Sequence, residues 1–468
     1  MPGQKAYPVK RGKEYLFDVE KLAFGGAGVA RIDNYVVFIK GALPGDKVLA
    51  RIGKRKASHA EARLLQIEKP SPIRIPAPCK HFEYCGGCTW QSMNYKDQLI
   101  QKESIVRESI ERLAGLDGGM VKPVLPSAAE FGYRNKMEFS FAEKRWLTPE
   151  EFDRPDVSKE FALGLHVPGT FDKILHIERC LLQSEAANRV LEYVSRYTLE
   201  KGITPYGLRS HEGFLRFLML RESHHQKKIM VNIVTGYKDP QILQPLAELI
   251  MTNIPEVSGV VNNINTRLAQ IAQGEEEVLL AGKPFIEDKI ADLTFRISAN
   301  SFFQTNTAQA GKLYEIALEY AQLKDFMDVW DLYCGTGTIS LFLAPHVRRV
   351  TGFELVDSAV LDARENAVVH GVNNAIFVAG DVRGNMLKPA SMPDVIITDP
   401  PRAGMHEDVV RTMLEIAPQR IVYISCNPTT LARDLKILAQ KYEVDEIQPV
   451  DMFPQTYHIE NVAKLTLK

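Results

Sequence analysis

The fold turns on "DLYCGTGTISLFLA", residues 331–344, where an apolar strand runs into a glycine-bearing turn and on into a helical pattern. Glycines let a backbone approach a ligand closely, and the helix amino terminus that follows favours the ligand's polar groups. Nineteen residues beyond Gly335, the apolar run "VTGFEL" reaches Glu354, a carboxylate suited to the two ribose hydroxyls of an adenosine. NAD is one reading of such a loop. Against it, G-T-G-T-I-S lacks the third glycine of the dinucleotide fingerprint, and no anchor for a pyrophosphate is evident.

Outward from the loop, "DVWDLYCG", "RRVTGFEL", "AIFVAGD", "DVIITDPP" and "RIVYISCN" alternate with helical segments, and "QTNTAQAGKLYEIALEYA" precedes them as a helix. Apolar strands alternating with helices predict a parallel α/β sheet. The runs "EVDEIQPVDMF" and "ENVAKLTLK" predict an antiparallel pair closing one edge. Acidic residues recur at successive strand ends. Asp381 in "VAGDVRG" is placed to meet an adenine amino group, and "TDPPRAG" carries Asp399. In that order, D-L-x-C-G-x-G, E, G-D and D-P-P resemble the S-adenosylmethionine fold of class I methyltransferases.

The fifth strand ends in "YISCNPTTLARD", residues 423–434. A free cysteine is often just a small buried hydrophobe. At the carboxyl end of a strand in an open α/β sheet, however, Cys426 is where ligands bind and a nucleophile belongs. The amino end of the next helix, with a proline and two threonines as capping candidates, is expected to lower its pKa. Enzymes that methylate exocyclic amines commonly place an aromatic residue after their (D/N)PP motif; this chain has Arg402. A thiolate adding to C6 of a pyrimidine makes C5 nucleophilic, and a base must then remove the C5 proton. Glu460 in "YHIENVAKL" is the candidate base, a solvated strand-end charge being the plainer reading.

"FFQTN", "DLYCGTGTISL", "DPPRAG", "SCNPTTLARDL" and "HIENVAKL" together resemble the RNA uracil-C5 methyltransferase family, and the layout of nearly the whole chain resembles its 23S ribosomal RNA branch with an amino-terminal TRAM domain. The resemblance implies Cys426 as nucleophile and Glu460 as base. It implies Gln304, Tyr333, Glu354 and Asp399 as cofactor-site residues, beside Gly335, Thr338 and Asp381 of the strand-end loops. Thr338 departs from the asparagine common at that place, which bears on the hydrogen bonds to the methionine moiety. Strand packing for Tyr333 and a helix start for Gln304 are the plainer readings. Transfer RNA is the alternative substrate. RNA cytosine-C5 methylation fits less well, because there the nucleophile typically follows a proline. A dehydrogenase and a non-catalytic RNA-binding scaffold are the readings from other classes.

Cys79, Cys85 and Cys88 form C-x5-C-x2-C, with Gly86 and Gly87 allowing tight wrapping around a metal and Cys180 as a fourth ligand reached through folding. Zinc on four thiolates is chemically open. The family resemblance implies a [4Fe-4S] cluster on these four positions, structural or RNA-positioning because methyl transfer changes no redox state. Nearby, "FGYRNKMEFSF" mixes Tyr133, Arg134 and Lys136 with Phe131 and Phe139, a blend suited to stacking on unpaired bases, with core packing of the phenylalanines as the alternative.

The predicted fold is multidomain α/β. Residues 1–72 form a small OB-like TRAM barrel of five short strands, with fourteen Lys and Arg against seven Asp and Glu in the first seventy residues, a balance suited to phosphate. Residues 73–290 form a central α+β domain with the cysteine loop, its strands including "KMEFSFA", "LRFLMLRE" and "DLTFRISA". Residues 291–468 form the Rossmann-like methyltransferase domain, on which a helix over 95–115 is free to pack. Formal net charge is -1, and composition is that of an ordinary globular protein. No apolar run has signal-peptide or membrane-span length, so a cytoplasmic monomer acting on RNA is expected.

Overall fold

The computed structural model describes residues 7–386 and 391–468. Three sheets of six, seven and seven strands and a two-stranded hairpin organise the chain.

The carboxyl-terminal sheet runs in the order Ala375–Ala379, Arg349–Glu354, Asp328–Leu332, Val395–Thr398, Arg420–Ser425, Glu460–Leu467, Tyr442–Val450. Its first five strands pair in parallel. Asp328–Leu332 and Val395–Thr398 are buried at every position, because helices cover both faces of a parallel sheet. The closing hairpin differs from a simple antiparallel edge. The last strand inserts between Arg420–Ser425 and Tyr442–Val450, and it alone runs against the others. This insertion delivers the start of the last strand to the carboxyl end of Arg420–Ser425.

The amino-terminal sheet has six strands rather than five, because "EYLFDVEKLA" breaks into Glu14–Asp18 and Lys21–Leu22. Its core is its own: Phe17, Val37, Ile39, Val48, Ala50 and Ile52. The central sheet is built on Leu215–Ser223 and Lys228–Thr235, with helices Glu185–Lys201 and Pro240–Asn253. "DLTFRISA" is not part of it. Leu293–Ser298 pairs with Phe285–Ile290 in the separate hairpin. Buried Asp288 of that hairpin accepts from Ser223 Oγ (3.2 Å), the His225 N–H (3.0 Å) and Thr307 Oγ1 (2.8 Å), joining the central sheet to the helix Thr307–Ala321.

Tyr95–Ser109 is a helix capped by Asn94, widened into a π turn at Ile110–Ala114 and ended by Gly115 in the left-handed conformation. Val106, Ile110 and Ala114 share one core with Leu431, Leu435 and Tyr442. Fully buried Lys102 donates to Asp451 Oδ1 at 2.6 Å and to the Phe453 carbonyl at 3.1 Å. Removing one partner of a buried ion pair strands the other. Lys102→Met is expected to cost about 3–5 kcal/mol in denaturant titrations. Adding Asp451→Asn, which still accepts the Phe453 N–H, is expected to recover much of that loss.

Candidate active site

The cofactor-type loop is built at the carboxyl ends of Asp328–Leu332 and Arg349–Glu354. Tyr333 leaves the strand at φ 64°, a left-handed conformation uncommon for a non-glycine residue, and turns the chain upward into the loop. Gly335 and Gly337 continue the turn with positive φ, and Thr338 opens the helix Thr338–Leu343. A Cβ on Gly337 would lie 2.9 Å from the Phe377 ring and 3.0 Å from Ala363 Cβ, so the loop packs tightly there, whereas a Cβ on Gly335 would meet nothing within 4 Å. Glu354 bridges two strand ends, accepting from the Gly335 N–H at 3.0 Å and from the Val356 N–H at 2.9 Å. Asp381 pairs with Arg383 at 2.5 Å, and both lie within electrostatic reach of the Tyr333 hydroxyl. Burial first, and Asp381 second, push that phenol up to about 12. These residues fit an adenosine-bearing ligand, with an open glycine turn and carboxylates at successive strand ends.

Further along the sheet, strand register brings the chemistry together. Ser425 faces Asn461 and Ile424 faces Val462, so one step further sets Cys426 opposite Glu460. Asn461 Nδ2 donates to the Ser425 carbonyl at 3.1 Å and fixes that alignment. The capping residue of the next helix is neither the proline nor a threonine. Asn427 Oδ1 accepts from the Thr429 N–H (3.0 Å) and Thr429 Oγ1 (2.8 Å), while its Nδ2 donates to the Arg402 carbonyl at 3.0 Å. One side chain thus caps Pro428–Leu438 and ties the cysteine to the D-P-P-R turn.

Electrostatics correct the expected low thiol pKa. Burial, then the Glu460 and Asp399 carboxylates, push Cys426 up to about 11, and Arg402 opposes them. Burial of the half-buried thiol is the larger cause, and the two carboxylates add to it. Desolvation raises the half-buried Asp399 to about 7, and Glu460 is raised well above an ordinary carboxyl by burial and by Asp399. The site is therefore two carboxyls of raised proton affinity, a thiol and one guanidinium, held at the ends of three adjacent strands. Beneath it lies Tyr314, a buried residue that hydrogen-bonds to the Gln304 side chain and feels Asp399, Asp331 and Glu460. Sequence reasoning missed Tyr314, whose helical spacing signals only a core position, and it read Arg402 solely as a missing aromatic.

A testable consequence concerns Asp399. Its folded-state pKa lies above the unfolded 3.8, so the stability it contributes is complete below about pH 4 and is lost as pH rises through about 7. Asp399→Asn removes that loss. Its melting temperature relative to the parent is expected to be higher at pH 8 than at pH 5 by at least about 2 °C, with activity lost.

The four cysteines Cys79, Cys85, Cys88 and Cys180 line one cavity of about 270 Å3 together with His81, Arg134 and Thr305. None is in a disulfide. A Cβ on Gly86 would lie 2.7 Å from the His166 carbonyl oxygen, and the Gly87 N–H donates to Cys85 Sγ at 3.4 Å. Burial pushes Cys85 up to about 11 and Cys88 to about 12. Such thiols gain most from a cationic metal core. Among the described residues, no three His, Cys, Asp or Glu side chains converge on a single metal-ion position. Tyr133 and Phe139 are buried, and the Tyr133 hydroxyl donates to the Pro454 carbonyl at 3.0 Å, so neither is free to stack on a base. Arg134 and Lys136 line the cysteine cavity.

Residues 245–381 and 382–468 match the family model described as tRNA (Uracil-5-)-methyltransferase, and residues 8–65 match the TRAM domain. An uncharacterized RNA methyltransferase of Chlorobaculum tepidum is 44% identical, covering 91% of this chain and 90% of its own. The chain belongs to the tRNA (uracil-5-)-methyltransferase family. A second relative of this methyltransferase, from Bacteroides thetaiotaomicron and also named an uncharacterized RNA methyltransferase, is 40% identical over 96% of this chain and all of its own. Among solved structures, the Pyrococcus abyssi tRNA (uracil-54, C5)-methyltransferase in complex with S-adenosyl-L-homocysteine is similar, with TM-score 0.74 and 29% identity, covering 97% of this chain and 100% of that one. This methyltransferase is thus an S-adenosylmethionine-dependent enzyme acting on RNA. No helix among its described residues is long and apolar enough to cross a membrane.

Proposed function

We propose that the enzyme methylates C5 of a uridine in 23S ribosomal RNA, with Cys426 as nucleophile and Glu460 as base. The observation that supports this most is the register that sets Cys426 opposite Glu460, with Asp399 and Arg402 facing both. In this reading Cys426 loses its proton to solvent, its sulfur bonds to C6 and the C5–C6 π pair moves toward C5 and O4, so that C5 becomes the nucleophile, while Asp399 also orients the uracil. S-adenosylmethionine, when bound, supplies the electrophilic methyl group. Gln304, Tyr333, Gly335, Thr338, Glu354, Asp381 and Asp399 would hold it, with Glu354 on the ribose. Glu460 then takes the C5 proton, and the electron pair of that C–H bond expels the Cys426 sulfur from C6. The target must be unstacked to reach the thiol.

In the same proposal the four cysteines hold a [4Fe-4S] cluster. The shared cavity and the lack of a single-ion convergence among the described residues favour a multi-atom group over one zinc. All groups of the site come from one chain, and the monomer is the proposed working unit.

The resemblance to the ribosomal-RNA branch supports 23S RNA. A second reading, transfer RNA, is favoured by the likeness to the Pyrococcus enzyme, which extends over the barrel and the cysteine loop as well. Mass-spectrometric mapping of 5-methyluridine in both RNAs, with and without this gene, separates them. Loss of a 23S methyl is expected; loss confined to transfer RNA overturns the first reading in favour of the second.

A further inference from the structure

The loop over residues 451–459, which delivers Glu460, is held by parts of the chain more than three hundred residues away. Gln98 is fully buried. Its Nε2 donates to Gln455 Oε1 (3.0 Å) and the Met93 carbonyl (2.9 Å), and its Oε1 accepts from the Gln455 N–H (2.9 Å). Gln455 needs such a grip, since its backbone stands at φ 69°. From the cysteine side, the N–H groups of Thr89 and Trp90 donate to the Gln455 carbonyl at 2.9 and 3.1 Å. Thr89 Oγ1 accepts from the Tyr457 N–H at 3.1 Å. Thr89 directly follows Cys88, which lines the cysteine cavity.

We propose that Gln98 and Thr89 are positioning residues for the base. They hold Gln455 and Tyr457, and so fix where the chain enters the last strand at Glu460. They also tie that placement to the folded state of the cysteine loop. The chemistry gives the device a distinctive signature. Bond formation at C6 and at C5 needs Cys426, whereas only the removal of the C5 proton needs Glu460. A slack loop therefore slows the last step selectively. This inference rests on the reading of Glu460 as the base.

The test uses the full chain with ordinary uridine RNA and methyl-labelled S-adenosylmethionine. Gln98→Leu is expected to lower turnover by about 10- to 100-fold, as a misplaced group does, while a denaturation-resistant protein–RNA adduct carrying the labelled methyl accumulates. Turnover equal to the parent overturns the proposal. So does a proportionate loss of adduct and turnover, which is what a merely structural role would give. Glu460→Gln run alongside separates the two readings: if it traps methylated adduct and Gln98→Leu does not, only the positioning role fails; if it turns over normally, the base reading fails. A second measurement needs no activity. In Cys88→Ser, amide exchange at Gln455 and Tyr457 is expected to rise about tenfold or more over the parent, while Val462 in the sheet keeps its protection. Unchanged exchange at Gln455, or an equal rise at Val462, overturns the coupling to the cysteine loop.

Discussion

Cys426→Ala is expected to lower methyl transfer by roughly four orders of magnitude or more and to abolish the stable adduct with RNA carrying 5-fluorouridine at the target. The fluorine explains the adduct. Once the sulfur is on C6 and the methyl on C5, no proton remains at C5 to be removed, so the C6–S bond cannot break. A denaturing gel of parent and variant with S-adenosylmethionine reads the result. The thiol also sets a pH dependence. With its pKa pushed up to about 11, roughly one thiolate in a thousand is present at pH 8, so kcat/KM of the parent is expected to rise about tenfold per pH unit between pH 8 and 9, and less steeply through about pH 7, where ionisation of Asp399 disfavours the thiolate. The sign follows from burial beside Glu460 and Asp399, which favour the neutral thiol. A flat profile with unchanged chemistry would mean that another group limits the rate.

Glu460→Gln produces the opposite phenotype on ordinary uridine. Gln keeps the shape of the side chain but takes no proton, so the methylated adduct is expected to form and persist, while multiple turnover falls by about 10²- to 10⁴-fold. Buried next to Asp399, the Glu460 carboxylate is strongly basic once ionised, as the removal of a carbon-bound proton demands. Liquid chromatography and mass spectrometry of the trapped peptide show one nucleotide, one methyl and Cys426. Free 5-methyluridine released at the parental rate removes Glu460 from the role.

These residues were legible in the sequence because chemistry at sheet ends leaves local marks. Gly335 and Gly337 are needed where the backbone turns with positive φ, and Asp399 and Cys426 close apolar runs at successive strand ends. What is set by contacts distant in sequence was hidden. Tyr314 reads as one more core position, and only folding brings its hydroxyl beneath Gln304. The helix end beside Cys426 is local and visible in the sequence, whereas the burial that raises its thiol pKa, and the two carboxylates that add to it, come from separate strands. Likewise, "DLTFRISA" has the pattern of any half-buried strand, and nothing in it specifies pairing with Phe285–Ile290. Gln98 gave no signal beyond its place in a helical pattern, and its partner Gln455 lies at the far end of the chain.

The most direct test of C5 methylation follows the C5 hydrogen itself. RNA labelled with tritium at C5 of uridine is incubated with the enzyme and S-adenosylmethionine, and tritium released to water is counted against methyl groups gained. One tritium released for each methyl incorporated is the predicted result. Methyl incorporation without tritium release would contradict it, because the methyl would then have gone to an atom other than C5.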